Sequence, residues 1–149
     1  MEPRRVLASE FAADLAIRLA GIDAAITVAP GPAEPVDIDA ERLAQAVLNA
    51  VTNAVVHNDE SVRVRISWEL TATQFTVLVD DDGLGFPDDV APEVLMEPFK
   101  HGTAGTSGLG LAVVNAVAKA HGGSVSLSRS RWGGANVRIT LPVASASSG

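Results

Sequence analysis

Residues 77–86 read Val-Leu-Val-Asp-Asp-Asp-Gly-Leu-Gly-Phe and form the most informative stretch of the chain. The apolar run predicts a strand, and because successive side chains of a strand point to opposite faces, Asp81 shares a face with Val77 and Val79. The glycines that follow let the backbone approach a ligand closely. A carboxylate above an apolar floor suits an adenine ring, because the carboxylate can accept a hydrogen bond from the exocyclic amine of the ring. The alternative is an acidic glycine turn that binds nothing.

Upstream, the sequence predicts a long helix from Ala40 to His57, capped by Asp39. Asn49 and Asn53 are four residues apart and therefore lie on one face of this helix. Amides among apolar residues need polar partners, and Mg²⁺ accepts amide oxygens while it keeps phosphate and water ligands. The alternative is that the two amides cap neighbouring loops.

Downstream, residues 102–111 read Gly-Thr-Ala-Gly-Thr-Ser-Gly-Leu-Gly-Leu and lead into a helix predicted from Gly108 to about His121. The free N–H groups and the positive dipole end of a helix start make a phosphate site. The sequence is neither a P-loop nor a dinucleotide fingerprint. A flexible helix start without a phosphate ligand is the alternative. The glycines at 122 and 123 are placed to end the helix, with His121 satisfying its C-terminal dipole.

The remaining segments predict a single domain over residues 1–143, followed by a disordered tail at 144–149. The order of elements is helix, strand, helix, hairpin, glycine-rich loop, helix and hairpin, which predicts one sheet with its helices on a single face. The first predicted helix is capped by Ser9 and ends at Gly21, and its apolar stripe consists of Phe11, Leu15, Ile17 and Leu19. Strands are predicted at 24–29, 62–70, 75–79, 124–129 and 135–141, and a short helix is predicted at 92–96. Trp68 is predicted to be in the core.

Composition limits the possible functions of the chain. Its 149 residues carry a net charge of −7 with only 4% aromatic residues, which argues against a nucleic-acid-binding protein. It contains no cysteine, which excludes thiolate metal sites, disulfides and cysteine nucleophiles. No apolar run approaches the roughly 20 residues that a membrane helix needs, and the first residues carry two arginines with no apolar signal core behind them. A cytoplasmic location is therefore expected, and it is compatible with the cytoplasmic part of a membrane-bound sensor.

The order of these motifs is more specific than any one of them. The asparagine pair, Asp-x-Gly-x-Gly at 81–85, Pro98-Phe99, and the Gly-Leu-Gly-Leu helix start before His-Gly-Gly together resemble the GHKL ATPase superfamily. Most closely they resemble the catalytic ATP-binding domain of bacterial sensor histidine kinases, over residues 23–142. The resemblance implies a Bergerat-type fold, which is a two-layer α/β sandwich with a mixed, mostly antiparallel sheet and three helices on one face. It also implies binding of ATP and Mg²⁺.

The resemblance also implies roles for individual residues. Asn53 would be the Mg²⁺ ligand and Asn49 would lie beside the phosphates, and both count with Lys100 as catalytic residues. Asp81 would bind the adenine. The other residues implied in nucleotide binding are His57, Gly83, Gly85, Phe99 as the anchor of an ATP lid over 100–107, Lys100, Thr106, Ser107, Gly108, Leu109, Gly110 and Leu111.

The function implied is protein-histidine kinase activity, in which the γ-phosphoryl group of Mg-ATP passes to a histidine. None of the three histidines lies in the helix motif that carries the phospho-acceptor in such kinases, so the acceptor is expected on a separate dimerisation or phosphotransfer domain or protein, with a response regulator downstream. The domain alone is expected to be monomeric, without nucleic-acid or membrane contacts.

Two alternatives remain open at this stage. An anti-sigma-factor-type serine kinase of the same superfamily is favoured by His57 and opposed by Asn49, where those enzymes usually have Glu. A non-catalytic nucleotide-sensing module is favoured by Val56, because many histidine kinases have a basic residue there.

The distribution of acidic residues adds an expectation about the metal. Six of the eighteen acidic residues lie around the predicted nucleotide loop, so Mg²⁺ should be close to obligatory for ATP binding. Two of them, Asp80 and Asp82, are expected to point into solvent. The six are Asp80, Asp81, Asp82, Asp88, Asp89 and Glu93.

Overall fold

The main sheet is built around the strand that ends at Asp81. The computed structural model describes residues 1–22, 24–58, 62–83 and 110–143, and it describes residues 56–58 by their backbone alone. Its strands are β1 (Arg4–Leu7), β2 (Ala25–Val28), β3 (Pro35–Ile38), β4 (Arg63–Leu70), β5 (Gln74–Asp81), β6 (Ser124–Arg129) and β7 (Ala135–Pro142), and its helices are α1 (Ala8–Leu19), α2 (Ala40–Asn58) and α3 (Gly110–Ala120).

Five strands form a mixed sheet in the order β2-β4-β5-β7-β6. β2 runs parallel to β4, and the other neighbouring pairs are antiparallel. β5 is the middle strand, so Val79 lies opposite Ile66 on one side and opposite Val137 on the other. The connection between β4 and β5 is a tight turn in which the Thr71 N–H donates to the Gln74 carbonyl at 2.9 Å. The predicted hairpin and the predicted mixed sheet are confirmed.

The helices of the described residues pack on one face of this sheet. α1 contacts β2, α2 contacts β5, and α3 contacts both β6 and β7, while α2 and α3 pack against each other. The apolar side of each helix and the inward residues of the strands form one continuous core. This arrangement is a two-layer α/β sandwich, as predicted. Core residues without solvent exposure include Leu15, Leu43, Val47, Val51, Ile66, Phe75, Val77, Val114, Ile139 and Leu141.

Trp68 joins α1 to the sheet. Its ring stacks on Phe75 at a centroid distance of 5.8 Å and meets Phe11 edge-on at 5.9 Å. Its indole N–H donates to the carbonyl of Ala29 at 2.7 Å, so the polar end of the ring is satisfied. Trp68 is partly buried and packs against the core, so its predicted core position is confirmed in part.

A second, two-stranded sheet was not predicted. β1 and β3 pair antiparallel, with Val6 opposite Val36. The prolines around β3 indicate a turn in the sequence, but Pro35 is the first residue of the strand, a position where its missing N–H is tolerated. Because β1 runs directly into α1, the N-cap of that helix is Leu7, which makes no side-chain cap hydrogen bond. The prediction that Ser9 caps α1 is therefore wrong.

Two other details of the helices test the sequence patterns. Ile17 was placed in the apolar stripe of α1, but it is 74% exposed, so that assignment is wrong. The end of α3 is as predicted, because Gly122 adopts a positive φ of 79° and the Gly123 N–H donates to the Ala118 carbonyl at 2.8 Å. No helix in the described segments is long and apolar enough to cross a membrane. The predicted helix at 92–96 and the tail at 144–149 lie outside the described residues.

Candidate functional site

Asp81 is the last residue of β5 and is buried, with only 4% of its surface exposed. It follows Val77 and Val79 on the helix-covered face, as the alternation of the strand predicts. Its Oδ1 atom accepts hydrogen bonds from the N–H groups of Gly83 at 2.9 Å and Ala135 at 3.0 Å. No residue in the described part of the chain donates to Oδ2. The carboxylate is therefore held through Oδ1, and Oδ2 has no donor among the described residues.

Gly134 packs directly against this carboxylate. A Cβ atom at position 134 would overlap the Oδ1 and carbonyl oxygens of Asp81 and would lie 2.6 Å from the Gly83 nitrogen. The hydroxyl of Ser130 also donates to the Asp81 carbonyl at 2.7 Å, in a buried position. The loop between β6 and β7 thus positions Asp81 from the far end of the chain. Sequence reasoning missed Ser130, Gly134 and Ala135, and the only signal for them was the Gly-Gly pair.

Asn49 and Asn53 are half-buried on α2. The Asn49 side-chain amide donates to the carbonyl of Gln45 at 2.9 Å, one turn earlier in the same helix, which leaves its Oδ1 free to accept. The side chain of Asn53 makes no hydrogen bond with any residue that the structure describes. Neither amide caps a loop within the described residues, and the loop-capping alternative therefore has no support there.

The start of α3 is described from Gly110 onward. Leu111, in its first turn, is 5% exposed and belongs to the core, so only its backbone can face a ligand. The other predicted site residues fall outside the described part. For His57 only the side chain lies outside it. The residues that lie wholly outside it are Gly85, Phe99, Lys100, Thr106, Ser107, Gly108 and Leu109.

The two acidic neighbours of Asp81 point away from it but are not simply solvated. Asp80 Oδ1 accepts a hydrogen bond from the Asn136 side chain at 2.8 Å. Asp82 is exposed, yet its Oδ1 accepts from the Arg63 N–H at 2.7 Å at the start of β4. The prediction of full solvation is wrong for Asp80, because strand register places Asn136 directly opposite.

His121 follows the C-terminus of α3 and connects it to α2. Its Nε2 accepts the N–H of Asp39 at 3.0 Å, which implies that Nδ1 carries the ring proton and donates to the Val117 carbonyl at 2.8 Å. The predicted role as a helix cap is confirmed. The contact to Asp39 was not predicted. The two helices that carry the candidate phosphate and metal residues are therefore tied together at one end.

Comparison with known proteins agrees with this geometry. Residues 38–145 match the family model described as "Histidine kinase-, DNA gyrase B-, and HSP90-like ATPase". The sensor-type histidine kinase PrrB of Mycobacterium leprae is 42% identical over 102 residues, which covers 65% of this chain and 22% of that protein. The sensor histidine kinase component HK1 of Mycobacterium tuberculosis is 34% identical over 128 residues, which covers 84% of this chain and 75% of that protein.

Solved structures lead to the same family. The crystal structure of the ATP-binding domain of PrrB from Mycobacterium tuberculosis superposes with a TM-score of 0.78 and 29% identity, over 96% of this chain and 98% of that one. The chain spans about a fifth of the length of the first curated relatives it matches, 22% in each case. These relatives are sensor histidine kinases, which does not favour the serine-kinase alternative. We conclude that the chain belongs to the family of histidine kinase-, DNA gyrase B- and HSP90-like ATPases.

Proposed function

We propose that this chain is the ATP-binding catalytic domain of a sensor protein-histidine kinase and that it works in the cytoplasm. The observation that carries the proposal is the buried carboxylate of Asp81, which has one oxygen held by two backbone amides and the other without a donor in the described chain. Membership of the ATPase family and the sensor kinase relatives support it.

Adenine recognition would rest on Asp81. Its Oδ2 would accept a hydrogen bond from the exocyclic amine of adenine. Guanine has a carbonyl at that position and cannot donate this hydrogen bond. A charge-assisted hydrogen bond in a buried position is stronger than a neutral one, so this contact would dominate base selectivity. The hydrogen bonds of Gly83 and Ala135 to Oδ1 keep the carboxylate from rotating out of position.

The metal would be held by Asn53, with Asn49 beside the phosphates. Amide oxygens are acceptable Mg²⁺ ligands, and the side-chain oxygens of Asn49 and Asn53 accept no hydrogen bond from any residue that the structure describes. No group of three or more His, Asp or Glu side chains in the described part could form a metal cage by itself, so phosphate oxygens would complete the ligand set. When bound, Mg²⁺ would neutralise phosphate charge.

The phosphates would lie along the loop that precedes α3. We assign Lys100, Thr106 and Ser107 to this loop as polar contacts, and the backbone N–H groups at the start of α3 as anion donors. Leu111 would contribute only its backbone, because its side chain is in the core. The further nucleotide contacts assigned from the motifs are His57, Gly85, Phe99, Gly108, Leu109 and Gly110.

Phosphoryl transfer would be achieved by positioning. A ring nitrogen of the acceptor histidine attacks the γ-phosphorus, the bond to the bridging oxygen breaks, and ADP leaves with the electron pair. The acceptor would lie on a histidine-containing dimerisation or phosphotransfer domain or protein, and a response regulator would receive the phosphoryl group next.

Transfer from radiolabelled Mg-ATP to purified histidine-containing dimerisation domains tests this function. We expect label on the partner that is lost in acid and stable in alkali, and much less label with the Asp81→Asn variant of the chain at ATP concentrations that do not saturate it. Label on serine that survives acid would contradict the proposal. Binding of ATP without transfer to any such domain would contradict it as well and would favour a nucleotide sensor.

A further inference from the structure

The face of the main sheet opposite the helices is rich in arginine. Arg65 lies between Val64 and Ile66, which are 1% and 0% exposed, so the arginine points away from the core. Arg138 on β7 points the same way, because its neighbours Val137 and Ile139 are also buried. No helix of the described residues packs on this side.

A shallow groove of about 390 Å³ runs across this open face. Leu78 forms its floor and is only 9% exposed. Four arginines line the groove, with Glu69 and Asp80 as its only carboxylates among the lining residues. We call Arg65, Arg129, Arg131 and Arg138 the arginine face.

Three of these four cations form no ion pair within the described part of the chain. Arg65, Arg131 and Arg138 form no ion pair with any residue that the structure describes, whereas the ion pairs it does contain belong to arginines at positions 5, 18 and 42. The Arg129 guanidinium donates to the Gly133 carbonyl at 3.2 Å, which keeps it at the loop. A chain of net charge −7 thus concentrates positive charge on one surface.

The loop that carries Arg131 is ordered by its contacts with the core. Ser130 bonds through its hydroxyl to the Asp81 carbonyl, and this hydroxyl also accepts the Trp132 N–H at 3.0 Å. The Ser130 N–H donates to the Gly134 carbonyl at 2.8 Å. Trp132 is 40% exposed beside the groove. Arginine and tryptophan on a preorganised surface are typical of binding hot spots.

We propose that the arginine face docks an acidic segment of a partner protein. Arginine is suited to carboxylates because its planar fork binds both oxygens at once. A polypeptide fits better than a nucleic acid, because Glu69 and Asp80 interrupt the positive surface, which suits separately placed carboxylates better than a continuous phosphate backbone. The proposal does not depend on the histidine kinase activity proposed above.

The test is calorimetric titration of the full chain with a glutamate-rich decapeptide and with its glutamine counterpart. The variant Arg65→Glu/Arg138→Glu reverses two charges of the arginine face. The control Arg4→Glu/Lys119→Glu makes the same change in net charge at exposed positions elsewhere, where neither side chain has an ion pair within the described chain. We expect the first variant to lower peptide affinity by about tenfold or more and the control by much less.

Three results would overturn the proposal. They are equal losses in the two variants, equal binding of the glutamine peptide, and tighter binding of a single-stranded oligonucleotide of the same charge than of the glutamate peptide. If the double reversal fails to fold, as judged by circular dichroism, Arg65→Gln/Arg138→Gln replaces it and should still weaken binding. Backbone amide shifts in NMR spectra should then concentrate in β4, β7 and residues 129–133, and shifts confined to α1 or α2 would equally count against the proposal.

Discussion

At the scale of single residues, the unequal surroundings of the two Asp81 oxygens carry most of the argument for the site. The oxygen that accepts from Gly83 and Ala135 has a structural role, and the other oxygen is the one that we propose as the adenine contact. Since Asn keeps one acceptor oxygen, substitution by Asn can separate these two roles.

We predict that Asp81→Asn lowers ATP affinity by a factor on the order of tenfold to a hundredfold with little change in melting temperature. Its oxygen can still accept from the two backbone amides, while its NH₂ group would face the exocyclic amine as a second donor. Isothermal titration calorimetry and thermal melts measure the two quantities. Unchanged ATP affinity would exclude Asp81 as the adenine contact.

Gly134→Ala should behave differently. The added methyl group would overlap Asp81, so we expect a loss of about 1–3 kcal/mol in the free energy of unfolding together with weaker ATP binding. Urea denaturation and calorimetry measure both effects. Gly21→Ala is the matched control, because nothing lies within 4 Å of a Cβ atom there. If the two variants were equally stable, the close packing of Gly134 on Asp81 would be wrong.

At the scale of secondary-structure elements, α2 combines a core face with a polar site. Leu43, Val47 and Val51 are fully buried along one side, while Asn49 and Asn53 are half-buried. The i, i+4 spacing keeps the amides together, and the helix holds them at a fixed distance from each other.

Asn53→Ala should reduce the contribution of Mg²⁺ to ATP binding. We expect the ratio of the affinities measured with Mg²⁺ and with EDTA to fall by about tenfold, because one metal ligand is lost. Alanine favours the helix, so folding should be unaffected. Thr52→Ala, one position earlier and exposed, should leave this ratio unchanged. If the affinity of Asn53→Ala falls equally with and without Mg²⁺, Asn53 is not a ligand.

At the scale of the whole molecule, Asp39 connects three separate parts of the chain. Its carboxylate accepts from the Glu2 N–H at 2.8 Å and from the Arg42 N–H at 3.2 Å. Its own N–H donates to His121 at 3.0 Å. The Glu2 amide, followed by the Arg42 amide and guanidinium, holds the pKa of Asp39 below its ordinary value of 3.8, although burial acts in the opposite direction.

This lowered pKa predicts an acid-dependent stability. The unfolded state binds the proton at a higher pH than the folded state, so the stabilisation is complete above about pH 5 and is lost as the pH falls through the folded pKa. We expect Asp39→Asn to cost about 0.3–1 kcal/mol at pH 7 and progressively less below pH 4. Urea denaturation across this pH range measures the difference. Glu69→Gln, at an exposed position, is the control, and a difference that persists at pH 2 would contradict the assignment.

The sequence predicted those parts of the fold that depend on local periodicity. The alternation in β4 and β5 placed Asp81 on the buried face, and the helical spacing in α2 placed the two asparagines together. It did not predict β1 and β3, because a four-residue strand beside prolines is too short to show a detectable periodicity and pairs with a strand about thirty residues away in the chain. Ile17 shows the opposite failure, since an apolar residue at the edge of a stripe can remain exposed.

Taken by itself, the sequence determined the order of the helices and of the main-sheet strands, the motifs and the family they resemble. These properties depend on residues that are near one another in the chain. Only the tertiary structure decided which oxygen of Asp81 is held, that Gly134 packs against it, that Asp39 meets His121, and that four arginines gather on one open face. Each of these contacts joins residues far apart in the chain, and their pairing depends on strand order and helix packing, which no local pattern encodes.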